Sequence, residues 1–298
     1  MKLNAKQKGI ALMVLSAFSF SLMQICVRVS GKRIPLFEQL FFRNSISLLL
    51  CGFLAARAKL PLFGARRDQF WLLGRSLFGY LGLILTFYAS AKAASQADVS
   101  ILTQMSPFVT TLFAVVFLKE TLSKVQLPAL LIASAGAFLV VNPRFESNWV
   151  PLAMALLSCF ASGSAYTLLS FLKGRVPALS IIVYFSTFSA VVSLPFMIAE
   201  FVVPTPLELV LLLLIGAGGS FGQIAITYAY RFAPAAEVSI FNFTGILFTV
   251  LFSTLLLGEQ IKPNSIAGAL LVLAASLLVY WHGNQKPPSP PSQPKTQD

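Results

Sequence analysis

Acidic residues and histidine are scarce in this chain of 298 residues, which has 10 Asp and Glu and a single His. Charged residues make up only 11% of the sequence, whereas an average soluble domain has about 25%. We find no Ser/His/Asp set, no HExxH motif and no phosphate-cradling glycine loop. The lone histidine, His282, lies near the C-terminal end and completes no catalytic or metal-binding group. The sequence therefore predicts no catalytic residue, no metal and no cofactor.

Cysteine is also rare, and its three positions argue against a disulfide framework and against a zinc site. Cys26, Cys51 and Cys159 all lie inside apolar segments, without the spacing of a metal site. A disulfide framework or a zinc site is disfavoured, and the three thiols are better interpreted as small buried apolar side chains.

Apolar residues are abundant, and their amount indicates a membrane protein. They make up 57% of the chain, with 27 phenylalanines. A soluble protein of this size could not bury so much apolar surface, so lipid must cover part of it. The net charge of +12 comes from basic residues in short connections between apolar runs. We therefore expect the lipid bilayer, and not nucleic acid, as the macromolecular partner.

Ten apolar segments approach the roughly 20 residues that a membrane-spanning helix needs. They are 9–29, 37–56, 70–91, 99–118, 125–141, 150–172, 178–199, 207–230, 238–257 and 265–281. Residues 1–8 form a basic N-terminus, and residues 283–298 form a polar, proline-rich tail that we expect to be disordered. The sequence predicts an all-α integral membrane protein with ten transmembrane helices.

The basic residues also predict the orientation of these helices. Most Lys and Arg fall in the connections on the same side as the N-terminus. Basic connections stay in the cytoplasm, so we expect both termini there, in a multi-pass protein of the cell's inner or plasma membrane. The basic start lacks an obvious cleavage site and is interpreted as a retained first helix.

An internal repeat divides the ten segments into two groups of five. Residues 92–100 (KAASQADVS) align without a gap with residues 231–239 (RFAPAAEVS). The same register pairs Gly79 with Gly218, and Glu120 with Glu259. Because each repeat holds an odd number of spans, the second must be inverted relative to the first. Inverted repeats are typical of secondary transporters, which bind substrate near the membrane midplane between the halves.

The third and fourth segments resemble a known family. Residues 79–120 contain a glycine-rich helix, then Tyr88-Ala89, Lys92, Ser106-Pro107 and a closing Glu120. This pattern is similar to the EamA domain of the drug/metabolite transporter superfamily. Tyr228-Ala229, Arg231 and Glu259 repeat it in the second half, where Gly245-Ile246 replaces the Ser-Pro pair. The resemblance implies two EamA domains, at residues 9–142 and 148–282, and a carrier of small molecules whose substrate the pattern does not specify.

Polar residues within the predicted spans are the candidate binding residues, because polar groups in a membrane face a neighbouring helix or a cavity. The resemblance implies a central cavity lined by the first, third, fourth, sixth, eighth and ninth helices. The candidates on those helices are Gln24, Tyr80, Gln104, Tyr166, Gln223, Phe241 and Asn242.

Arg43, in the second span, is the most costly of the intramembrane polar residues. It either faces the substrate, pairs with Glu38, or caps carbonyl groups of a neighbouring helix. We interpret Arg75, near the start of the third span, as reaching back to the cytoplasmic interface.

A second set of residues is predicted to support the structure or the gating motion. Gly79 and Gly218 permit close helix approach or bending, and Pro107 is expected to kink the fourth helix. Glu120 and Glu259 each close an apolar run at the end of a span.

The predicted spans contain no Asp or Glu at their centres. Together with Arg43, this absence predicts a cavity of neutral to positive charge and a zwitterionic or anionic substrate. We expect an exporter of a small, amino-acid-like metabolite, working by alternating access as a monomer or homodimer. Uptake or exchange of a nucleoside-like compound such as S-adenosylmethionine is the alternative, and a channel or a structural membrane protein fits less well.

Overall fold

The computed structural model describes residues 4–31, 33–92, 102–103, 105–141, 149–257 and 263–285. Within these residues the chain forms helices and turns, without a β-strand. The long helices are α1 (Ala5–Ser30), α2 (Leu36–Arg57), α3 (Gln69–Lys92), α4 (Ser106–Leu118), α5 (Gln126–Val141), α6 (Trp149–Phe171), α7 (Ala178–Ala199), α8 (Pro206–Phe232), α9 (Thr244–Leu257) and α10 (Pro263–Gln285).

The ends of two helices show how the sequence sets their boundaries. Asn4 and Gln7 form a reciprocal capping box at the start of α1. Thr205 and Glu208 form another at the start of α8, where Pro206 occupies the first turn. In each box a side chain accepts a hydrogen bond from a backbone N–H that has no partner inside the helix. Proline fits the first turn because the N–H that it lacks is not needed there.

Seven helical segments in the described part of the chain are long and apolar enough to cross a membrane. Three shorter apolar helices, within α4, α5 and α10, accompany them. Large apolar side chains lie exposed on the outside of the bundle, as at Leu49, Phe70 and Trp149, each more than 70% exposed. Apolar surface of this extent needs lipid to cover it, so the chain is a multi-pass membrane protein.

The helices pack in a pattern that relates the first five to the last five. Helix α1 packs against α8 and α9, while α6 packs against α3 and α4. Helix α2 packs against α7, and α5 packs against α10. If each helix is exchanged for the one five places away in the chain, so that α1 becomes α6 and α8 becomes α3, the same helix pairs are obtained.

Two of the predicted spans differ from single continuous helices. The ninth begins with the one-turn helix Ala235–Val238, continues as the 3-10 segment Ser239–Phe243, and only then becomes α9. In the fourth, Leu102 and Thr103 are helical, the chain turns at Met105, and α4 begins at Ser106. The first departure is unforeseen because hydropathy detects an apolar run but not a local change in its hydrogen bonding. The second lies directly before Pro107, where the sequence predicted a kink.

The C-terminal boundary also differs from the predicted one. Helix α10 continues through Gln285, two residues past the expected start of the tail at residue 283. A helix need not end where its apolar run ends, because polar residues can extend it into the interface. The rest of the predicted tail lies outside the described residues.

Candidate functional site

A cavity of about 190 Å³ lies roughly half-way along the bundle. Helices α1, α3 and α6 supply most of its wall, and α2, α7, α8, α9 and the breaks before α4 and α9 complete it. Five of the residues predicted to bind substrate line this cavity: Gln24, Arg43, Tyr166, Gln223 and Asn242. Gly79, predicted as a structural or gating residue, lines it as well.

Two other predicted binding residues do not line the cavity. Tyr80 is buried between helices, and its hydroxyl shares a hydrogen bond of 2.7 Å with that of Ser193 on α7. Phe241 is buried in the core, in the 3-10 segment before α9. Gln104 lies outside the described residues. We predicted Tyr80 and Phe241 to line the cavity because their helices belong to the set implied by the resemblance. Belonging to that set does not specify which face of a helix turns toward the cavity.

Arg43 points from α2 into the cavity and is almost completely buried, with 3% of its surface exposed. One terminal nitrogen, Nη1, donates a hydrogen bond to Oδ1 of Asn44 at 3.1 Å. Its Nε is buried without a hydrogen-bond partner. The alternative pairing with Glu38 is not formed, since Glu38 instead accepts a hydrogen bond from the backbone N–H of Val202. Arg43 therefore has capacity to bind a further acceptor.

A second arginine lines the same cavity, and our interpretation of it from the sequence was wrong. Arg75 does not reach back to the interface but is buried, with 2% of its surface exposed. Its guanidinium stacks on the ring of Phe185 on α7, 4.1 Å from the ring centre. Its Nε and Nη1 have no hydrogen-bond partner. The stacking holds the guanidinium inside the bundle, because a cation is attracted to the face of an aromatic ring.

Glycine makes room for each guanidinium. A Cβ atom on Gly79 would lie 2.6 Å from Nη1 of Arg75, and one on Gly219 would lie 3.0 Å from Nε of Arg43. Any side chain larger than hydrogen would displace the arginine at the first position and crowd it at the second. The Arg-x-x-x-Gly spacing of Arg75 and Gly79 was the available sequence signal, because residues four apart share one face of a helix.

The charge around the two arginines is not neutralised by the cavity wall. No Asp or Glu is among the described residues that line it. The described ion pairs, which join Lys6 to Glu237, Arg33 to Glu208 and Arg67 to Asp68, involve neither arginine. Tyr166, on α6, lies close enough to interact electrostatically with both guanidinium groups. The site is positively charged and polar, in an environment where an unpaired charge is costly.

Neutral hydrogen-bonding groups complete the wall. Gln24 is exposed toward the cavity, and Asn242 lies half-buried in the 3-10 segment. Gln223 donates from its side chain to the hydroxyl of Thr227 at 3.4 Å, a long contact that leaves its carbonyl oxygen available. Such amides can both donate and accept, so they suit the uncharged parts of a polar ligand.

The breaks in the fourth and ninth segments also border the cavity. Thr103 and Ser106 flank the first, and Asn242 and Gly245 flank the second. Ser21 on α1 donates a 2.8 Å hydrogen bond to the carbonyl of Gly245, which fixes this backbone in place. Irregular backbone at membrane depth is tolerated where it lines a cavity, and substrate sites of transporters are built from such broken helices.

The cavity is closed toward the end of the bundle at which α1 begins, here called the N-terminal end. The rings of Tyr166 and Tyr230 lie 5.7 Å apart, and Tyr230 is almost fully buried. Below them lies a continuous apolar core that includes Met13, Leu169 and Phe243. This packed layer separates the arginines from the N-terminal end.

Glu120 strengthens the closure at the N-terminal end. Lys119 ends α4 in the left-handed conformation and turns Glu120 toward the second half of the chain. The Glu120 carboxylate accepts hydrogen bonds from the backbone N–H groups of Ala235 and Ala236, at 3.2 and 2.9 Å. The hydroxyl of Ser170 makes a longer contact of 3.5 Å. One carboxylate thus ties the end of α4 to the start of the ninth segment.

Gly218 and Pro107, also predicted as gating or structural residues, lie in different surroundings. Gly218 lies where α8 approaches α1, since a Cβ there would be 3.2 Å from the Ser19 carbonyl oxygen. Pro107 occupies the first turn of α4, directly after the break, where its missing N–H costs little. Glu259 lies outside the described residues.

Replacing Gly79 by alanine tests the position of Arg75. The added methyl group displaces the end of a flexible side chain and no backbone, so we expect little loss of stability. We expect the guanidinium to leave its place against Phe185 and the transport predicted from the sequence to fall by about fivefold, since a cation–π contact of about 1 kcal/mol is displaced. The measurement is the initial transport rate in proteoliposomes, beside the melting temperature.

Gly74→Ala is the matched control on the same helix. A Cβ at this position meets only Leu168, at an ordinary contact distance of 3.6 Å. We expect full transport and a slight gain in stability, because alanine favours a helix interior over glycine. Equal transport rates in the two variants would contradict the assigned position of Arg75.

Comparison with known proteins supplies a family for this architecture. The model of the EamA-like transporter family matches residues 7–142 and again residues 149–281. The chain is 34% identical to the pseudopaline exporter CntI of Pseudomonas aeruginosa, over 93% of this chain and 97% of the relative. It is 22% identical to an S-adenosylmethionine uptake transporter of Rickettsia bellii, over 92% and 93% of the two chains. A crystal structure with 13% identity superposes with a TM-score of 0.81, covering 93% of this chain and 98% of that one.

Proposed function

This chain belongs to the EamA-like transporter family, and we propose that it exports a small anionic or zwitterionic metabolite by alternating access. The observation that carries the proposal is the central cavity with Arg43, a buried cation with unused hydrogen-bonding capacity and no acidic partner among the described residues. A buried unpaired charge is costly unless an opposite charge joins it. A substrate carboxylate satisfies this requirement, whereas a bare cation would be repelled.

The helix pairing supports ten spans arranged as two inverted repeats. The contacts of α1 with α8 and α9 correspond to those of α6 with α3 and α4, as a two-fold relation between the halves requires. With five crossings in each half, that two-fold axis lies in the plane of the membrane and inverts the second half. Two such halves can exchange their packing, which opens the central site first to one side and then to the other.

The direction in which the cavity is closed follows from the orientation that we propose. With the basic connections in the cytoplasm, the N-terminal end of the bundle is the cytoplasmic end. The layer of Tyr166 and Tyr230, with the Glu120 hydrogen bonds below it, then closes the site to the cytoplasm. This conformation is the one from which an exporter releases its substrate.

Export is favoured over uptake by the similarity to an exporter, at 34% identity. Uptake of S-adenosylmethionine is the second candidate, because a relative at 22% identity is named for it. The charge of the cavity opposes this second assignment. S-adenosylmethionine carries a positively charged sulfonium, which two nearby guanidinium groups would repel, while nothing acidic in the described wall would attract it.

Metabolite analysis of cells and medium tests the proposed export. Cells that express the protein are compared with cells that express Arg43→Gln, with equal amounts of protein in the membrane. We expect an anionic or zwitterionic compound to accumulate in the medium and to fall inside the cells, only with the unchanged protein. Uptake of labelled S-adenosylmethionine is measured in parallel. Accumulation inside the cells, of this compound or another, would contradict export.

A further inference from the structure

We propose that the substrate carries two negatively charged groups, and that Arg43 binds one of them and Arg75 the other. This inference rests on the proposed transport function and specifies the chemical class of the substrate. It concerns dicarboxylates and larger compounds with at least two acidic groups, as distinct from amino acids whose only acidic group is the α-carboxylate.

The first step is that both cations are free to bind. Arg43 and Arg75 are each at least 97% buried, and Nε of Arg43 and both Nε and Nη1 of Arg75 have no hydrogen-bond partner. The only hydrogen bond of the Arg43 guanidinium among the described residues is with the neutral amide of Asn44. The contact of Arg75 with Phe185 places the guanidinium carbon over the ring and does not supply an acceptor for its N–H donors.

The second step is that the two guanidiniums are held by different neighbours. Arg43 extends from α2 across Gly219 of α8, and Arg75 lies across Gly79 of its own helix against α7. Each is therefore fixed by a different set of neighbours. A single carboxylate held by the fork of one arginine leaves the other arginine unneutralised.

The third step concerns the charge that the cavity can accept. With two cations and no acidic residue in the described wall, one negative charge leaves the occupied site positive. The ammonium group of a simple amino acid would add further repulsion and would meet no acidic group in the described wall, whose polar side chains other than the arginines are neutral, such as Gln24, Gln223 and Asn242. A second carboxylate neutralises the site, and Tyr166, close to both arginines, can donate a hydrogen bond to either acidic group.

Three compounds with one carbon skeleton test this inference in the purified full-length protein. Glutarate has two carboxylates, glutaramate has one carboxylate and one amide, and glutaramide has two amides. Binding is measured by calorimetry and by the shift in melting temperature. We expect glutarate to bind at least tenfold more tightly than glutaramate, and glutaramide to bind more weakly still.

Variants then assign the preference to the two arginines. In Arg43→Gln and in Arg75→Gln we expect the glutarate-to-glutaramate ratio to fall to within twofold of one. Gly79→Ala keeps both charges but moves one, and it should lower the ratio without removing a cation. Arg57→Gln, on the exposed end of α2, is the matched control and should keep the ratio of the unchanged protein.

The outcomes separate this inference from the proposed function. Equal affinity of the unchanged protein for glutarate and glutaramate, or binding of neither, overturns the two-charge inference. The two-charge inference is also overturned if Arg43→Gln or Arg75→Gln keeps the glutarate-to-glutaramate ratio of the unchanged protein. Arg43-dependent export of a compound with one carboxylate leaves the export function standing and removes only this inference. Tight, arginine-dependent binding of glutarate without any transport would support two acidic groups in the ligand and would overturn the proposed transport function.

Discussion

Arg43→Gln abolishes most transport while leaving a folded, and even stabilised, protein. A hydrogen bond to a charged group contributes about 1.5–3 kcal/mol, so its loss lowers transport by roughly 10- to 150-fold. The glutamine amide can still donate to Asn44, which preserves the local contact on α2. Removing an unpaired cation from a buried site also removes its desolvation penalty. The melting temperature of the substrate-free protein should therefore rise.

The combination of these two effects distinguishes a binding residue from a structural one. If Arg43 stabilised the bundle by capping carbonyl groups, its loss would lower the melting temperature and transport together. Arg43→Lys keeps the charge but not the planar fork, so we expect intermediate transport. Transport rates are measured in proteoliposomes and melting temperatures without substrate. A fall in the melting temperature of Arg43→Gln would contradict the assignment.

Glu120→Ala opens the N-terminal end of the bundle. The Glu120 carboxylate accepts the backbone N–H groups of Ala235 and Ala236, and alanine leaves both without this acceptor. We expect hydrogen exchange of these two amides to accelerate by at least tenfold, because the lost charge-assisted bonds exceed the roughly 1.4 kcal/mol that this factor represents. The transport rate should fall severalfold, since the closed state loses stability relative to the open one.

Exchange measured by mass spectrometry on the purified full-length protein checks this expectation. Glu200→Ala is the control, because Glu200 is an exposed carboxylate at the end of α7. Its removal should leave the exchange at Ala235 and Ala236 unchanged. Glu120→Gln retains one acceptor oxygen, so its exchange rates at Ala235 and Ala236 should lie between those of Glu120→Ala and Glu200→Ala. Unaltered exchange at both alanines in Glu120→Ala would show that the carboxylate does not hold this end closed.

The sequence predicted the membrane-protein class and the family because both depend on properties summed over many residues. Hydropathy requires only that apolar residues cluster, and the EamA pattern combines several positions across both halves. The direction in which each polar side chain points was less predictable. Gln24, Gln223 and Asn242 do line the cavity, whereas Tyr80 and Phe241, on helices of the same set, are packed against neighbouring helices.

Arg75 was missed for a physical reason. An arginine near the start of a span can extend to the interface or fold inward, and the spans alone favour the first. The choice is decided by Gly79, which leaves space, and by Phe185, which supplies an aromatic face from a helix more than 100 residues away in the chain. The first of these partners was visible in the sequence as an i,i+4 spacing. The second required the packing of α3 against α7.

The repeat shows an inequality between the halves. Residues 33–35 (RIP) align with residues 175–177 (RVP), and in this register the counterpart of Arg43 is Phe185. Arg43 lies against Gly219 of the second half, and Phe185 lies against Gly79 of the first. The ancestral position thus holds a cation in one copy and an aromatic ring in the other.

Both guanidiniums consequently belong to the first copy, and the second supplies the ring on which one of them rests. In the alternating-access cycle that we propose, the two halves therefore contribute unequally to the charge of the site. We expect the inward-facing and outward-facing forms to differ in affinity for an anion, which would give the carrier a preferred side from which to load.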